Sequence, residues 1–279
     1  MKASELYRDL QKGAETIPSS QLKLLFCEML QGDFAMLMCM DEDISPESAE
    51  KCLKAKEELI NGKPLAHVLS MAYFLDRKFT VSKDVLIPRP ETELLVWTLL
   101  QEYKSYTSLN VLDMCCGSGA IGVSLCAEHP EWSVTLCDIS PKALEISKIN
   151  ANALCSKAPS FVLSDMFSNI QGVFDLIVSN PPYIKRADIP NLEKSVKDFE
   201  PHLALDGGED GLDFYRIIAR KAPSFLTDNG KIALEIGFDE GEAVADIFSS
   251  HNFSDIEVKK DLTGEDRFVF CTYHNSTRQ

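Results

Sequence analysis

Apolar residues recur at helical spacing over positions 4–10, 21–30 and 34–40, and the first 70 residues carry no strand-like alternation. Ser45-Pro46 supplies an N-cap and a first-turn proline for a further helix to residue 60, which Asn61-Gly62 ends. Residues 72–82 fit a short hairpin turning at Asp76-Arg77-Lys78, and Pro88-Arg89-Pro90 closes this connector. From residue 91 the texture changes. A helix over 91–103 is followed by short apolar runs of strand length at 110–114, 133–138, 161–164, 174–179, 231–236, 255–259 and 267–273. Helices are predicted at 120–128, at 141–153 behind a Ser140 cap, at 213–226 and at 240–249. Short buried runs alternating with helices imply a mostly parallel sheet covered on both faces. Only the turn at Thr263-Gly264 separates the last two strands, so one of them is expected to run antiparallel. The expected plan is a helical domain over 1–70, a connector over 71–90 with a β-hairpin, and an α/β domain over 91–279.

Composition narrows the setting. With 45% hydrophobic residues among 279, the chain has ample material for a core, so disorder throughout is excluded. Its 28 basic and 43 acidic side chains give a net charge of −15, which weighs against tracking a phosphate backbone over many contacts. The charge-free run 114–127 is 14 residues long and holds three glycines, too short and too broken to span a membrane. The start, MKASELYRDL, has no apolar signal-peptide run. Nine cysteines without a CxxC pair read as reduced thiols of a cytoplasmic protein, with neither a disulfide framework nor a metal site expected.

Three features then fall at successive strand ends. Residues 111–120, VLDMCCGSGA, run from a strand through a glycine-rich turn into a helix, where small residues admit a ligand to the backbone and free N–H groups. Nineteen residues beyond Gly119, Asp138 ends the next strand, where one carboxylate can accept from two ribose hydroxyls. Asp165 ends a third strand, within reach of an adenine amino group. Together these point to an adenosine-containing ligand, either a nicotinamide cofactor or S-adenosylmethionine. The incomplete GxGxxG, with Cys115 at its first small position, leans away from the former.

After the fourth of these strands comes Asn180-Pro181-Pro182-Tyr183. Consecutive prolines fix their own φ and restrict the residue before them, so Asn180 and the Pro181 carbonyl are held rigidly. A side-chain amide oxygen and a backbone carbonyl aimed alike make two acceptors for one planar NH₂ group, with the Tyr183 ring as a flat face.

The order of DMCCGSG, Asp138, Asp165 and NPPY resembles the Rossmann-like class I S-adenosylmethionine methyltransferases that modify exocyclic or amide nitrogens. Further segments narrow the resemblance: residues 86–93 (LIPRPETE), Glu200-Pro201 with 204–208 (ALDGG), 210–216 (DGLDFYR), 234–237 (LEIG), and 261–264 (DLTG) with Arg267. With these, the chain resembles the peptide chain release factor N5-glutamine methyltransferases, the HemK/PrmC family, over roughly three quarters of its length from Pro64 to Arg267. The resemblance implies methyl transfer from S-adenosyl-L-methionine, giving S-adenosyl-L-homocysteine, to the glutamine amide of the Gly-Gly-Gln loop in class I release factors. An N6-adenine or guanine-N2 nucleic-acid methyltransferase is the alternative. Cofactor contacts then fall on Cys115, Cys116, Gly117, Ser118, Gly119, Asp138, Asp165, Met166 and Asn180. Substrate contacts fall on Asn180, Pro181, Pro182 and Tyr183, with Asn180, Pro181 and Tyr183 carrying catalysis. The helical domain corresponds to the family's substrate-side domain. A monomer is expected, with neither a membrane nor direct nucleic-acid partner. Two departures stand out: Cys115-Cys116 replace the usual Gly-Thr, and Met166 replaces a common aromatic, so that ring stacking is lost or passes to Phe167. Arg89 is expected either to pair locally or to touch the cofactor, and His67 and His202 are expected to be structural.

Overall fold

The computed structural model describes residues 1–274; residues 275–279, which the expected α/β domain includes, lie outside the described residues. The chain forms two compact units. The first holds residues 1–72 with the insertion 193–199, and the second holds 73–192 and the chain from Glu200 onward.

In the first unit, helices α1 (Ala3–Gln11), α2 (Ser19–Leu30), α3 (Phe34–Met40), α4 (Pro46–Ile60) and α5 (Leu65–Leu69) enclose a core built on Leu6, Leu10, Leu25, Phe26 and Cys52. Asp33 caps α3 by accepting from Ala35 and Met36 N–H, and Ser45 caps α4 by accepting from Ser48 N–H. The buried Lys56 donates to the Asp9 and Lys12 carbonyls, meeting orphan acceptors at the end of α1.

The connector is a two-stranded hairpin, β1 (Met71–Phe74) and β2 (Arg77–Thr80). Its turn sits at Leu75-Asp76, one residue earlier than expected. Both residues have positive φ (47° and 58°), the backbone that keeps a two-residue loop in step with strand twist, and this leaves Arg77 inside β2.

The second unit continues with α6 (Pro90–Glu102), β3 (Asn110–Met114), α7 (Ala120–Glu128), β4 (Ser133–Asp138), α8 (Pro141–Leu154), β5 (Ser160–Leu163) and β6 (Phe174–Ser179). A short α9 (Lys194–Lys197) lies in the segment that belongs to the first unit, and there the aliphatic part of Lys194 approaches Gly62. Then come α10 (Asp213–Lys221), β7 (Leu226–Glu235), α11 (Gly241–Ser249), β8 (Phe253–Lys260) and β9 (Asp266–Tyr273). The strands make one seven-stranded sheet in the order β5-β4-β3-β6-β7-β9-β8. Pairings are parallel from β5 to β7, and β9 runs antiparallel to both its neighbours, as the short β8–β9 turn demands.

One expectation is corrected. The helix after residue 213 ends at Lys221, and a 3₁₀ turn at Ala222–Ser224 containing Pro223 follows it. Leu226, expected in that helix, begins β7 opposite Phe174, because proline cannot continue the helical hydrogen bonds and Leu226 gains a buried place in the sheet.

Alternation along the strands feeds two cores. Val111, Leu176, Val178 and Ala233 face the side carrying α6, α7 and α8, whereas Leu112, Ile177, Ile232 and Leu234 face α10 and α11. Each such fully buried Val, Leu or Ile side chain contributes roughly 1.5–3 kcal/mol. Two carboxylates break the apolar pattern: Asp113 on β3 and Glu235 on β7 are both buried.

Candidate functional site

The sheet runs from β3 outward to β4 and β5, then returns to place β6 on the other flank of β3. Loops at the carboxyl ends of strands diverge at such a reversal, leaving a crevice for ligands. Met114 ends β3 in register with Ser179, which ends β6, and Ser179 Oγ donates to the Met114 carbonyl at 2.6 Å. The glycine-rich loop and the Asn180 loop therefore leave the sheet side by side.

Cys115, Gly117 and Gly119 all take positive φ (58°, 53° and 81°), which turns the chain sharply out of β3. Cys115 holds a backbone that favours glycine, at a cost of roughly 1–2 kcal/mol. At Gly119 a Cβ would lie 2.9 Å from both Ser147 Cβ and Val123 Cγ2, so only glycine fits between α7 and α8. Cys116 N–H donates to the Cys137 carbonyl at 3.0 Å, and Asn150 Nδ2 donates to the Ser118 carbonyl at 2.8 Å. Asp113 Oδ2 accepts from Gly122 N–H at 2.8 Å in the first turn of α7, tying the strand to the helix across the loop. Burial pushes its pKa up to about 8.

A cavity opens above this loop. Cys115, Cys116, Gly117 and Ser118 line it, as do Asp138, Ile139 and Ser140 after β4, Asp165 and Met166 after β5, and Asn180 and Pro182 after β6. Val85, Leu86, Pro88, Arg89 and Thr92 contribute from the connector and α6. Gly119, Pro181 and Tyr183 are not among the lining residues.

The Asp138 carboxylate is fixed at the wall: Oδ2 accepts from Gly117 N–H at 2.9 Å and Oδ1 from Ser140 N–H at 2.8 Å. Burial raises its pKa. Asp138→Ala is expected to raise the S-adenosylmethionine dissociation constant by about tenfold or more in calorimetry, since charge-assisted hydrogen bonds to the ribose would be lost. An unchanged constant would make Asp138 a loop brace only.

Asp165 is exposed at the rim, and Met166 is buried with φ of 49°, its Sδ 3.9 Å from Cys115 Sγ. Phe167 does not take over a stacking role toward the cavity. It stacks on Phe225 inside the second core, with ring centroids 4.8 Å apart.

Asn180 Nδ2 donates to Thr92 Oγ1 at 3.2 Å, and Thr92 Oγ1 donates to Glu235 Oε2 at 2.6 Å. Pro181 and Pro182 are buried, and no peptide bond among the described residues is cis. The segment after Glu200 braces this loop: Ile184 N–H donates to the Leu205 carbonyl at 3.0 Å, Gly207 N–H to the Ile184 carbonyl at 2.9 Å and Arg186 N–H to the Gly208 carbonyl at 2.8 Å. Arg89 pairs locally, donating from Nη2 to both Glu200 oxygens at 2.8 Å each. His67 and His202 do not line the cavity. Sequence reasoning gave Thr92 and Glu235 no role. Their only signal was membership of the LIPRPETE and LEIG segments, because their partnership spans 143 residues.

Three buried carboxyls are raised to the neutral range, chiefly through burial: Asp113 near 8, and Glu235 and Glu240 near 7. A group raised on folding contributes stability fully present below its unfolded value, about 4, and loses it as pH rises through the folded value. The net charge of −15 acts in the same sense. The thermal midpoint at pH 5.5 is therefore expected to exceed that at pH 8, and the gap to shrink in Glu235→Gln; a higher midpoint at pH 8 would contradict this.

Among the described residues no helix is long and apolar enough to cross a membrane, and no group of three or more His, Cys, Asp or Glu is placed to hold a metal. The family model "Methyltransferase small domain" matches residues 90–209. A methyltransferase structure from Pyrococcus furiosus shares the fold at TM-score 0.54 and 14% identity, covering 80% of this chain and 99% of that one. The release factor glutamine methyltransferase of Thermodesulfovibrio yellowstonii is 37% identical over 248 residues, 88% of this chain and 89% of the relative. That of Clostridium acetobutylicum is 41% identical over 233 residues, 81% of this chain and 82% of the relative. With identity of this order across both chains, and with the cavity where the strand order reverses, the chain belongs to the release factor glutamine methyltransferase family.

Proposed function

We propose that the protein transfers a methyl group from S-adenosylmethionine to the side-chain amide nitrogen of the glutamine in the Gly-Gly-Gln loop of class I peptide chain release factors. The observation that carries this reading is the Asn180 amide, fixed through its nitrogen by Thr92 at the wall of a cavity whose other walls are the glycine-rich loop and Asp138. The residues fit that cofactor: at Gly117 a Cβ would meet nothing within 4 Å, so the backbone is open to a ligand, and Asp138 offers a braced acceptor. Cys115 to Gly119 and Asp138 would hold its amino-acid and ribose parts, and Asp165 and Met166 its adenine side. When bound, S-adenosylmethionine supplies an electrophilic methyl group on a sulfonium.

The chain's own task is to present a poor nucleophile. An amide nitrogen shares its lone pair with the carbonyl, and accepting both its N–H groups, by Asn180 Oδ1 and the Pro181 carbonyl, increases electron density on nitrogen and holds it in line. Positioning of this kind supplies much of the rate of a displacement. Because the nitrogen loses its proton late, no strong base need precede attack. Tyr183 offers its ring as a face for the planar amide. The helical unit is the proposed platform for the body of the release factor, a reading supported by α3, which leaves Met36 and Met40 exposed. The protein is proposed to act as a monomer in the cytoplasm, consistent with nine free thiols.

Incubation with labelled S-adenosylmethionine and a release factor, an adenine-containing DNA or a structured RNA tests the reading. Label on the glutamine of the Gly-Gly-Gln loop is the expected result, and label on nucleic acid alone would overturn it.

A further inference from the structure

A side-chain amide has two ends of almost the same shape and opposite character. If Asn180 presented its NH₂ group to the substrate, donor would face donor and the glutamine amide would be repelled. The loop prolines fix the backbone of Asn180 but leave the amide free to turn by 180° about its last bond. What fixes that turn lies on the far side: Thr92 Oγ1 is 3.2 Å from Asn180 Nδ2, and the Glu235 carboxyl also takes a hydrogen bond from the Asn180 side chain. A hydroxyl carries one proton, and Thr92 directs its proton to Glu235 Oε2 at 2.6 Å. Lone pairs are all that remain for Asn180, and only an N–H satisfies them.

We propose that Glu235, acting through Thr92 and by its own contact with the amide, is the positioning residue that sets which end of the Asn180 amide faces the substrate. The inference rests on the reading of Asn180 as an acceptor for the substrate amide.

Thr92 and Glu235 are both buried, with 4% and 1% exposure, so water does not compete for the chain of hydrogen bonds. An ionised carboxylate only accepts, which forces Thr92 to donate to it and accept from Asn180. A protonated carboxyl can donate to Thr92 and free the hydroxyl proton for Asn180, reversing the order. The groups facing Glu235 come from four sides. Thr92 and Glu91 lie on α6, Asn180 and Tyr183 in the loop after β6, and Arg267 on β9. Tyr215 on α10 donates to the Glu235 backbone carbonyl at 2.9 Å and links it to Glu240. Burial is the largest influence on Glu235, opposed by Thr92, Arg267 and Asn180, and its carboxyl titrates near 7. The acceptor-out state of Asn180 is therefore enforced above neutrality, and that constraint is released as pH falls through it.

The test uses the full-length protein with a release factor at saturating S-adenosylmethionine, reading single-turnover rates from pH 5.5 to 8.5. Thr92→Val, which keeps volume and removes the hydroxyl, is expected to slow methylation by about tenfold or more, and Thr92→Ser to recover most of the rate. Glu235→Gln is expected to slow the reaction at pH 8 and to abolish the rate limb near neutrality, whereas Glu240→Gln retains that limb. Calorimetric affinity for S-adenosylmethionine should change less than twofold in Thr92→Val, which separates a turned amide from a damaged fold. In the free protein, infrared difference spectra should show a carboxyl band that appears below neutrality and is missing from Glu235→Gln. Rates within twofold of the parent for both Thr92→Val and Glu235→Gln, or a Ser variant as slow as the Val variant, would overturn the proposal. If Asn180→Ala abolishes methylation in those circumstances, the acceptor reading stands and only the relay falls. If Asn180→Ala methylates normally, both fall.

Discussion

Replacing Asn180 with Ala is expected to lower the single-turnover rate of release-factor methylation by about 10²-fold or more, the scale seen when one preorganised polar partner is removed from an active site. The structure supports a large effect through the way Asn180 is held. Asn180 emerges at the end of β6 beside the glycine-rich loop, its backbone stiffened by Pro181 and its Nδ2 engaged by Thr92. The proposed Oδ1 contact with the substrate amide would strengthen as the nitrogen becomes more positive during attack, so the loss should fall on the transition state more than on ground-state binding. Affinity for S-adenosylmethionine should change much less, since Asp138 and the 115–119 loop remain in place. Single-turnover rates at saturating cofactor, with direct cofactor titration alongside, check both halves. Near-normal methylation by the Ala variant would remove the clamp from the mechanism.

The second large effect is expected from a residue with no chemistry of its own. Gly207 takes an ordinary φ, so its requirement is purely one of space: a Cβ there would lie 2.7 Å from Tyr183 Cα, and 2.8 Å from both Tyr183 C and the Gly211 carbonyl oxygen. All three are backbone atoms, and ordinary contact begins near 3.4 Å. Neither side can swing away, because Gly207 N–H already donates to the Ile184 carbonyl and Ile184 N–H to the Leu205 carbonyl. Gly207→Ala must therefore push the Asn180–Tyr183 loop off its brace by several tenths of an ångström. Misplacements approaching 1 Å can cost about 10²-fold in rate, and a loss of about tenfold or more is expected here. The thermal midpoint should fall, while cofactor titration still reports binding. A Gly207→Ala protein that methylates at the parent rate would show that the brace does not position the loop.

Much of this was legible in the residues. The period of the apolar pattern gave every major strand, because buried strands of a covered parallel sheet read as short apolar runs whatever their neighbours. Glycine-rich turn, strand-end acids and double proline are local devices, each complete within a few residues, so Cys115 to Gly119, Asp138 and Asn180 could be singled out before any fold was known. Local signals misplaced what distant contacts decide. Leu226 reads as the tail of a helix until Phe174 stands opposite it in the sheet. Residues 193–199 read as part of the second domain, yet belong to the compact unit formed by residues 1–72.

The sequence by itself determined the order of strands and helices along the chain, the glycine-rich and Asn-Pro-Pro-Tyr motifs, and the family. Only the tertiary structure decided that β3 and β6 are neighbours, which brings Cys115 beside Asn180, and that Arg89 pairs with Glu200. It also decided that Thr92 stands between Glu235 and Asn180, donating to the one and accepting from the other. The physical reason is common to all three. Hydrogen bonds and ion pairs between residues 65 to 143 positions apart leave no periodicity in the chain, and the carboxylates that make them become distinctive only once burial removes the water that would otherwise satisfy them.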